Sequence, residues 1–134
     1  MKVIIAGSRK FDTDNEYQHL LKALEASEMD SKITEVVCGG AKGIDSLGKY
    51  WAEVSHVEVK MFKPEYEKWG RVGAPKIRNT KMAEHADALI AVWDGDSGGT
   101  KDMINKMLLR HKPVYIWIVG KNTGKWVKTS KVIW

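Results

Sequence analysis

At 134 residues the chain has room for one domain with a real hydrophobic core and too little for two. Its apolar share of 43% and charged share of 29% are ordinary for a globular protein; no run approaches a membrane span, and the Lys2-Val3-Ile4-Ile5-Ala6 start is too short for a signal sequence, so a cytoplasmic home is expected. One cysteine, Cys38, excludes an internal disulfide and a cysteine-type metal site, and four lysines (Lys121, Lys125, Lys128 and Lys131) account for most of the net charge of +5, leaving about +1 on residues 1–120.

Lys2 to Ala6 reads as a first buried strand, ending at Gly7-Ser8-Arg9-Lys10-Phe11. Tyr17, Leu20, Leu21, Leu24 and Met29 lie at helical spacing across Asp14 to Met29, with Asp12, Thr13 or Asp14 as cap. Ile33 to Cys38 is a second, β-branched strand that runs into Gly39-Gly40-Ala41-Lys42-Gly43-Ile44-Asp45, and Leu47, Tyr50, Trp51 and Val54 mark the amphipathic helix Asp45 to Val54. His56 to Phe62 alternates as a half-buried strand. Lys63 to Pro75, with two prolines and two glycines, reads as an irregular loop with one turn around Tyr66 to Trp69, and Pro75 suits the start of a helix to about His85.

Asp87 to Trp93 is the most strand-like run of the chain, and it empties through Asp94-Gly95-Asp96-Ser97-Gly98-Gly99-Thr100 into a helix from Lys101 to Arg110. Pro113 to Val119 is a fifth strand, opening on a proline that strand starts accept. Residues 121–134 form a basic tail on the domain of residues 1–120, with Asn122-Thr123-Gly124 as a turn and Trp126 to Trp134 as a short extra strand. Its lysines and Trp126 and Trp134 suit nucleic acid or an anionic surface, but an edge strand protected by charge is the preferred reading.

The order βαβαβαβαβ predicts an α/β fold of three layers: a mostly parallel sheet of about five strands, covered by helices on both faces, with the tail as an extra strand or hairpin. Ligands in such sheets sit beyond the carboxyl ends of the strands. The glycine-bearing loops follow strands one, two and four, so all three are expected to open on that edge.

Each loop offers its own chemistry. Arg9 can grip a phosphate or carboxylate bidentately, and Ser8 beside Gly7 adds a hydroxyl; a surface arginine after a tight turn is the plainer reading. Gly39, Gly40 and Gly43 suit a backbone anion cradle with Lys42 alongside, although GGxxG is a weak match to a dinucleotide fingerprint. Asp45 either caps its helix or meets ligand hydroxyls. Arg78 and Asn79 either reach the same edge or lie on a solvated helix face. Gly98 and Gly99 let a ligand come against bare backbone, beside Ser97, and Thr100 can cap the helix or meet a phosphate. Asp94 and Asp96 form a carboxylate pair whose commoner role is to make a turn. No metal is expected, since His19, His56, His85 and His111 lack ligand spacing. Trp51 and Trp93 read as core, and Trp69, in its loop, can stack on a base.

GSRKF at 7–11, GGAKGID at 39–45, RNTKM at 78–82 and WDGDSGGT at 93–100 together resemble the YspA-like branch of the SLOG superfamily, named for the DNA-processing protein DprA and the lonely-guy enzymes. The resemblance implies a Rossmann-like fold that binds a nucleotide or nucleotide-derived ligand through its glycine loops, without a resident cofactor, in a homo-oligomer. Lonely-guy enzymes cleave the N-glycosidic bond of nucleoside 5′-monophosphates with an arginine in R-K-x-x-M and a glutamate in G-G-x-G-T-x-x-E. Here Asn79 replaces the lysine, and Met103 stands where the glutamate belongs, with Asp102 turned about 100° away on a helix. The sequence therefore favours a binding module that senses or sequesters its ligand. The alternatives are a phosphoribohydrolase-like enzyme, with Asp45, Asp94 or Asp96 in the glutamate's role beside Arg78, and a DprA-like DNA-binding module.

Overall fold

The computed structural model describes residues 1–8, 14–121 and 123–127. The elements in chain order are β1 (Lys2–Gly7), α1 (Asp14–Ala26), β2 (Glu35–Cys38), α2 (Ile44–Val54), β3 (Glu58–Met61), α3 (Tyr66–His85), β4 (Ala88–Trp93), α4 (Gly98–Leu109), β5 (Val114–Ile118) and β6 (Thr123–Val127). One six-stranded sheet runs β3-β2-β1-β4-β5-β6, parallel throughout except for the final antiparallel pair β5–β6.

The alternation of side chains along a strand splits the core into two layers. Val3 and Ile5 of β1, Ala88, Ile90 and Val92 of β4, and Tyr115 and Trp117 of β5 pack with Leu20 and Leu24 of α1 and Ile44 and Trp51 of α2. Ile4, Ala6, Leu89, Ala91, Trp93, Val114 and Ile116 point the other way, onto Met82 and Ala83 of α3 and Met103, Ile104, Met107 and Leu108 of α4. Central strands buried on both faces need apolar residues at every position, which is why β4 reads Ala-Leu-Ile-Ala-Val-Trp without a polar break.

The segment after β3 differs from the expected loop. α3 begins at Tyr66 and runs to His85 with one break, at Gly70 (φ 77°, ψ 178°), so Trp69 sits in a helical turn and Pro75 lies inside the second helical piece. Two prolines and two glycines suggest a loop, but only Gly70 occupies a conformation that a helix forbids. The tail strand also moves. It starts at Thr123, so Thr123 and Gly124 lie in the strand, not in a turn. Gly124 belongs there because a Cβ at that position would stand 2.6 Å from the Tyr115 ring. Trp126 packs edge-on against Tyr115, with ring centroids 5.3 Å apart. Residues 128–134, with Lys128, Lys131 and Trp134, lie outside the described residues, as do the expected caps Asp12 and Thr13. Among the described residues no helix is long and apolar enough to cross a membrane.

Candidate functional site

The chain lays down β1, β2 and β3 in one direction and β4, β5 and β6 in the other, so the switch point falls between β1 and β4. Diverging connections leave a crevice at the carboxyl ends of those two strands. A cavity of about 300 Å³ occupies it, lined by Ala6 and Gly7 from β1, Ala41 and Asp45 from the second loop and α2, Pro75, Arg78, Asn79 and Met82 from α3, and Ser97, Gly98, Gly99, Thr100 and Met103 from the third loop and α4. The three loops thus meet at one rim.

Ser8 ties them together. Its N–H donates to Val92 O (3.4 Å), its carbonyl accepts from Ile44 N–H at the start of α2 (3.3 Å), and its Oγ lies 3.0 Å from Ser97 Oγ. The side chain is thereby buried between loops and does not line the cavity. Asp94 anchors the third loop: its Oδ1 accepts from the N–H groups of Asp96 (2.8 Å) and Ser97 (2.7 Å), and its Oδ2 from Ser97 Oγ (2.8 Å). Burial opposes ionisation of this carboxyl, but those two N–H groups and the Ser97 and Ser8 hydroxyls outweigh it and hold its pKa well below the ordinary carboxylate range. Asp94 is a turn former whose charge is spent on the loop. Among the described residues no group of His, Cys, Asp and Glu side chains could hold a metal ion.

The helix that follows begins at Gly98, three residues before the expected start, because both glycines take up helical backbone and Ser97 becomes the N-cap residue. Thr100 is therefore buried inside the first turn and is not the cap. The Ser97 carbonyl accepts both the first helical bond, from Lys101 N–H (3.1 Å), and the Trp93 indole N–H (3.1 Å), which pins the helix start to β4. A Cβ at Gly98 or Gly99 would meet nothing within 4 Å, so bare backbone at a helix N-terminus faces the opening.

Arg78, 9% exposed, lines the same cavity. Its Nη1 donates to Gly39 O (2.5 Å) and its Nε to Asn79 Oδ1 (2.9 Å). Asn79, 6% exposed, continues the chain by donating to Asp102 Oδ2 (2.9 Å), which also receives Lys106 Nζ (2.8 Å). A Cβ at Gly39 would stand 2.5 Å from Arg78 Nη1, so the bare glycine leaves room for the guanidinium. Gly39 thus seats the arginine, and neither Gly39 nor Gly40 lines the cavity. Lys42 is exposed and also outside the lining. Asp45 lies in the first turn of α2, whose N-cap residue is Gly43 with no side chain to cap it; the carboxylate is 8% exposed and lines the cavity. Arg9 lies outside the described residues.

Of the expected site residues, the fold brings Gly7, Asp45, Arg78, Asn79, Ser97, Gly98, Gly99 and Thr100 to the cavity wall. Sequence reasoning missed Pro75 and Met82, although the spacing of Pro75, Arg78, Asn79 and Met82 is that of one helical face. It also missed Asp102 as the anchor of Asn79; the i,i+4 pair Asp102–Lys106 was the available signal.

The model of the YspA, cpYpsA-related SLOG family matches residues 1–69. The chain belongs to that family. The match covers the loops after β1 and β2, whereas the Arg78–Asn79 wall and the Gly98–Gly99 turn of this SLOG domain lie beyond it and are known from their geometry. No curated protein and no solved structure gives a significant match to the chain. SLOG membership makes nucleotide-related binding the general expectation for this fold.

Proposed function

We propose that this protein binds a nucleotide or nucleotide-derived ligand in the crevice between β1 and β4 and acts as a sensor or sequestering module. One observation supports the reading: three loops far apart in sequence converge on a cavity lined both by a helix N-terminus and by a buried arginine. The phosphate rests against the N–H groups of Gly98, Gly99 and Thr100, where the helix dipole favours an anion. Arg78 faces it from α3, and Asp45 is placed for ligand hydroxyls. The same reading puts the protein in the cytoplasm and, through the edge strand β6, in homo-oligomers.

Calorimetry with nucleoside phosphates, cyclic nucleotides and ADP-ribose derivatives tests it. At least one class binds the wild type, and Arg78→Ala loses at least tenfold in affinity; absence of binding across the panel rejects the proposal.

A second reading has one specific support. Asp45 puts a carboxylate in the same cavity as Arg78, which a hydrolase of N-glycosidic bonds needs to steady an oxocarbenium-like centre or prime water. Met103, in the position of the lonely-guy glutamate, also lines that cavity and brings no charge. Release of free base from nucleoside 5′-monophosphates, abolished by Asp45→Asn, would convert the binding module into an enzyme.

A further inference from the structure

A second hollow of about 150 Å³ lies beside the first, lined by Phe62, Lys63, Glu65, Trp69, Ala74, Ile77, Arg78 and Lys81. Arg78 lines both cavities, so its side chain is the partition between them. The first cavity is at the lower end of the range, about 300–1,000 Å³, that encloses small ligands, so phosphate and ribose there leave a base to be housed elsewhere.

The second hollow has the chemistry of a base site. Trp69 keeps 44% of its surface exposed although it is a large apolar side chain, and Phe62, Ala74 and Ile77 supply an apolar floor. The Lys68 ammonium stands 5.2 Å from the indole centroid and steadies the ring. At the rim, Lys63 and Lys81 offer N–H donors to the ring-nitrogen and carbonyl acceptors of a base, with Lys81 already drawn to Glu65 (3.1 Å). The break at Gly70 sets this corner: without it α3 would run on straight past Trp69.

We propose that this hollow is the base subsite of the ligand, with Trp69 as the stacking platform and the Arg78 guanidinium straddling base and phosphate. The inference rests on the phosphate reading of the first cavity. The test is calorimetry on the full chain with ribose 5-phosphate and with the common nucleoside 5′-monophosphates, for wild type, Trp69→Ala and Trp69→Phe. The exposed position of Trp69 leaves the fold intact in both variants. The expected result is that Trp69→Ala weakens nucleotide binding by about 5- to 150-fold, the effect of losing an aromatic stacking partner. Ribose 5-phosphate binding stays within about twofold, and Trp69→Phe keeps most of the nucleotide affinity. If Trp69→Ala leaves nucleotide binding unchanged, or weakens both probes equally, the base subsite is wrong while the phosphate site stands. If neither probe binds the wild type, the phosphate reading itself falls and takes the subsite with it.

Discussion

The Arg78 guanidinium is seated on the Gly39 carbonyl, joining α3 to the loop after β2 across 39 residues of sequence. The seat exists because Gly39 has no Cβ; one would stand 2.5 Å from Nη1. Gly39→Ala is therefore expected to push the guanidinium off its carbonyl, costing about 1–3 kcal/mol of stability as an overpacked core site. It should also weaken ligand binding nearly as much as Arg78→Ala. Because both changes act on one contact, their effects in the double variant should be markedly less than additive by chemical denaturation and calorimetry.

Asn79 completes the arginine's second bond and passes it on to Asp102. Asn79→Ala strips a partner from buried Arg78 Nε and from Asp102, and is expected to cost about 1–3 kcal/mol in urea unfolding. Asn79→Asp keeps an acceptor for Arg78 but sets a second carboxylate against Asp102, so it should restore little of the loss. Unfolding midpoints for both variants equal to wild type would show that the chain of bonds is idle.

The fold was legible because β1, β4 and β5 are apolar at nearly every position, which only a strand covered on both faces requires, and because glycines punctuate their carboxyl ends. The meeting of the loops followed from the parallel order alone. Three things were hidden. The helix from Tyr66 was masked by prolines and glycines of which only Gly70 breaks it. Ser8 and Gly39 look like ligand contacts in sequence, but the Ser8 backbone is bonded to Val92 and Ile44, its hydroxyl to Ser97 and the Gly39 carbonyl to Arg78, partners that no local pattern reveals. Asp45 resembles a cap, yet Ile44 already begins the helix and Gly43 is its N-cap residue, so Asp45 lies in the first turn and on the cavity wall.

Asp94 gives the protein an acid sensitivity of definite sign. Its folded-state pKa is depressed, so its contribution is full above the unfolded carboxyl value of about 3.9 and is lost as pH falls below that toward the folded value. Asp94→Asn is expected to be about 1.5–3 kcal/mol less stable than wild type at neutral pH, the worth of hydrogen bonds to a charged group. The gap should narrow below about pH 4. Denaturation curves whose difference stays constant from pH 7 to pH 3 would contradict this.

Cys38 is buried beside Met61, with the two sulfurs 3.7 Å apart. Burial, with the Asp45 carboxylate adding to it, pushes the thiol up to about 11. Little thiolate exists at neutral pH, so a disulfide-exchange reagent should react with native protein far more slowly than with protein in denaturant. Equal rates in the two conditions would place the thiol at the surface.

The most direct measurement is backbone amide NMR of the full chain during titration with inorganic phosphate and with a nucleoside 5′-monophosphate. The account predicts that the amides of Gly98, Gly99 and Thr100 shift most with either ligand, that Gly7 and Ala41 across the crevice shift with them, and that Arg78→Ala suppresses the changes. Shifts confined to the far end of the sheet, or no shift at Gly98 to Thr100 while ligand binds, would contradict it.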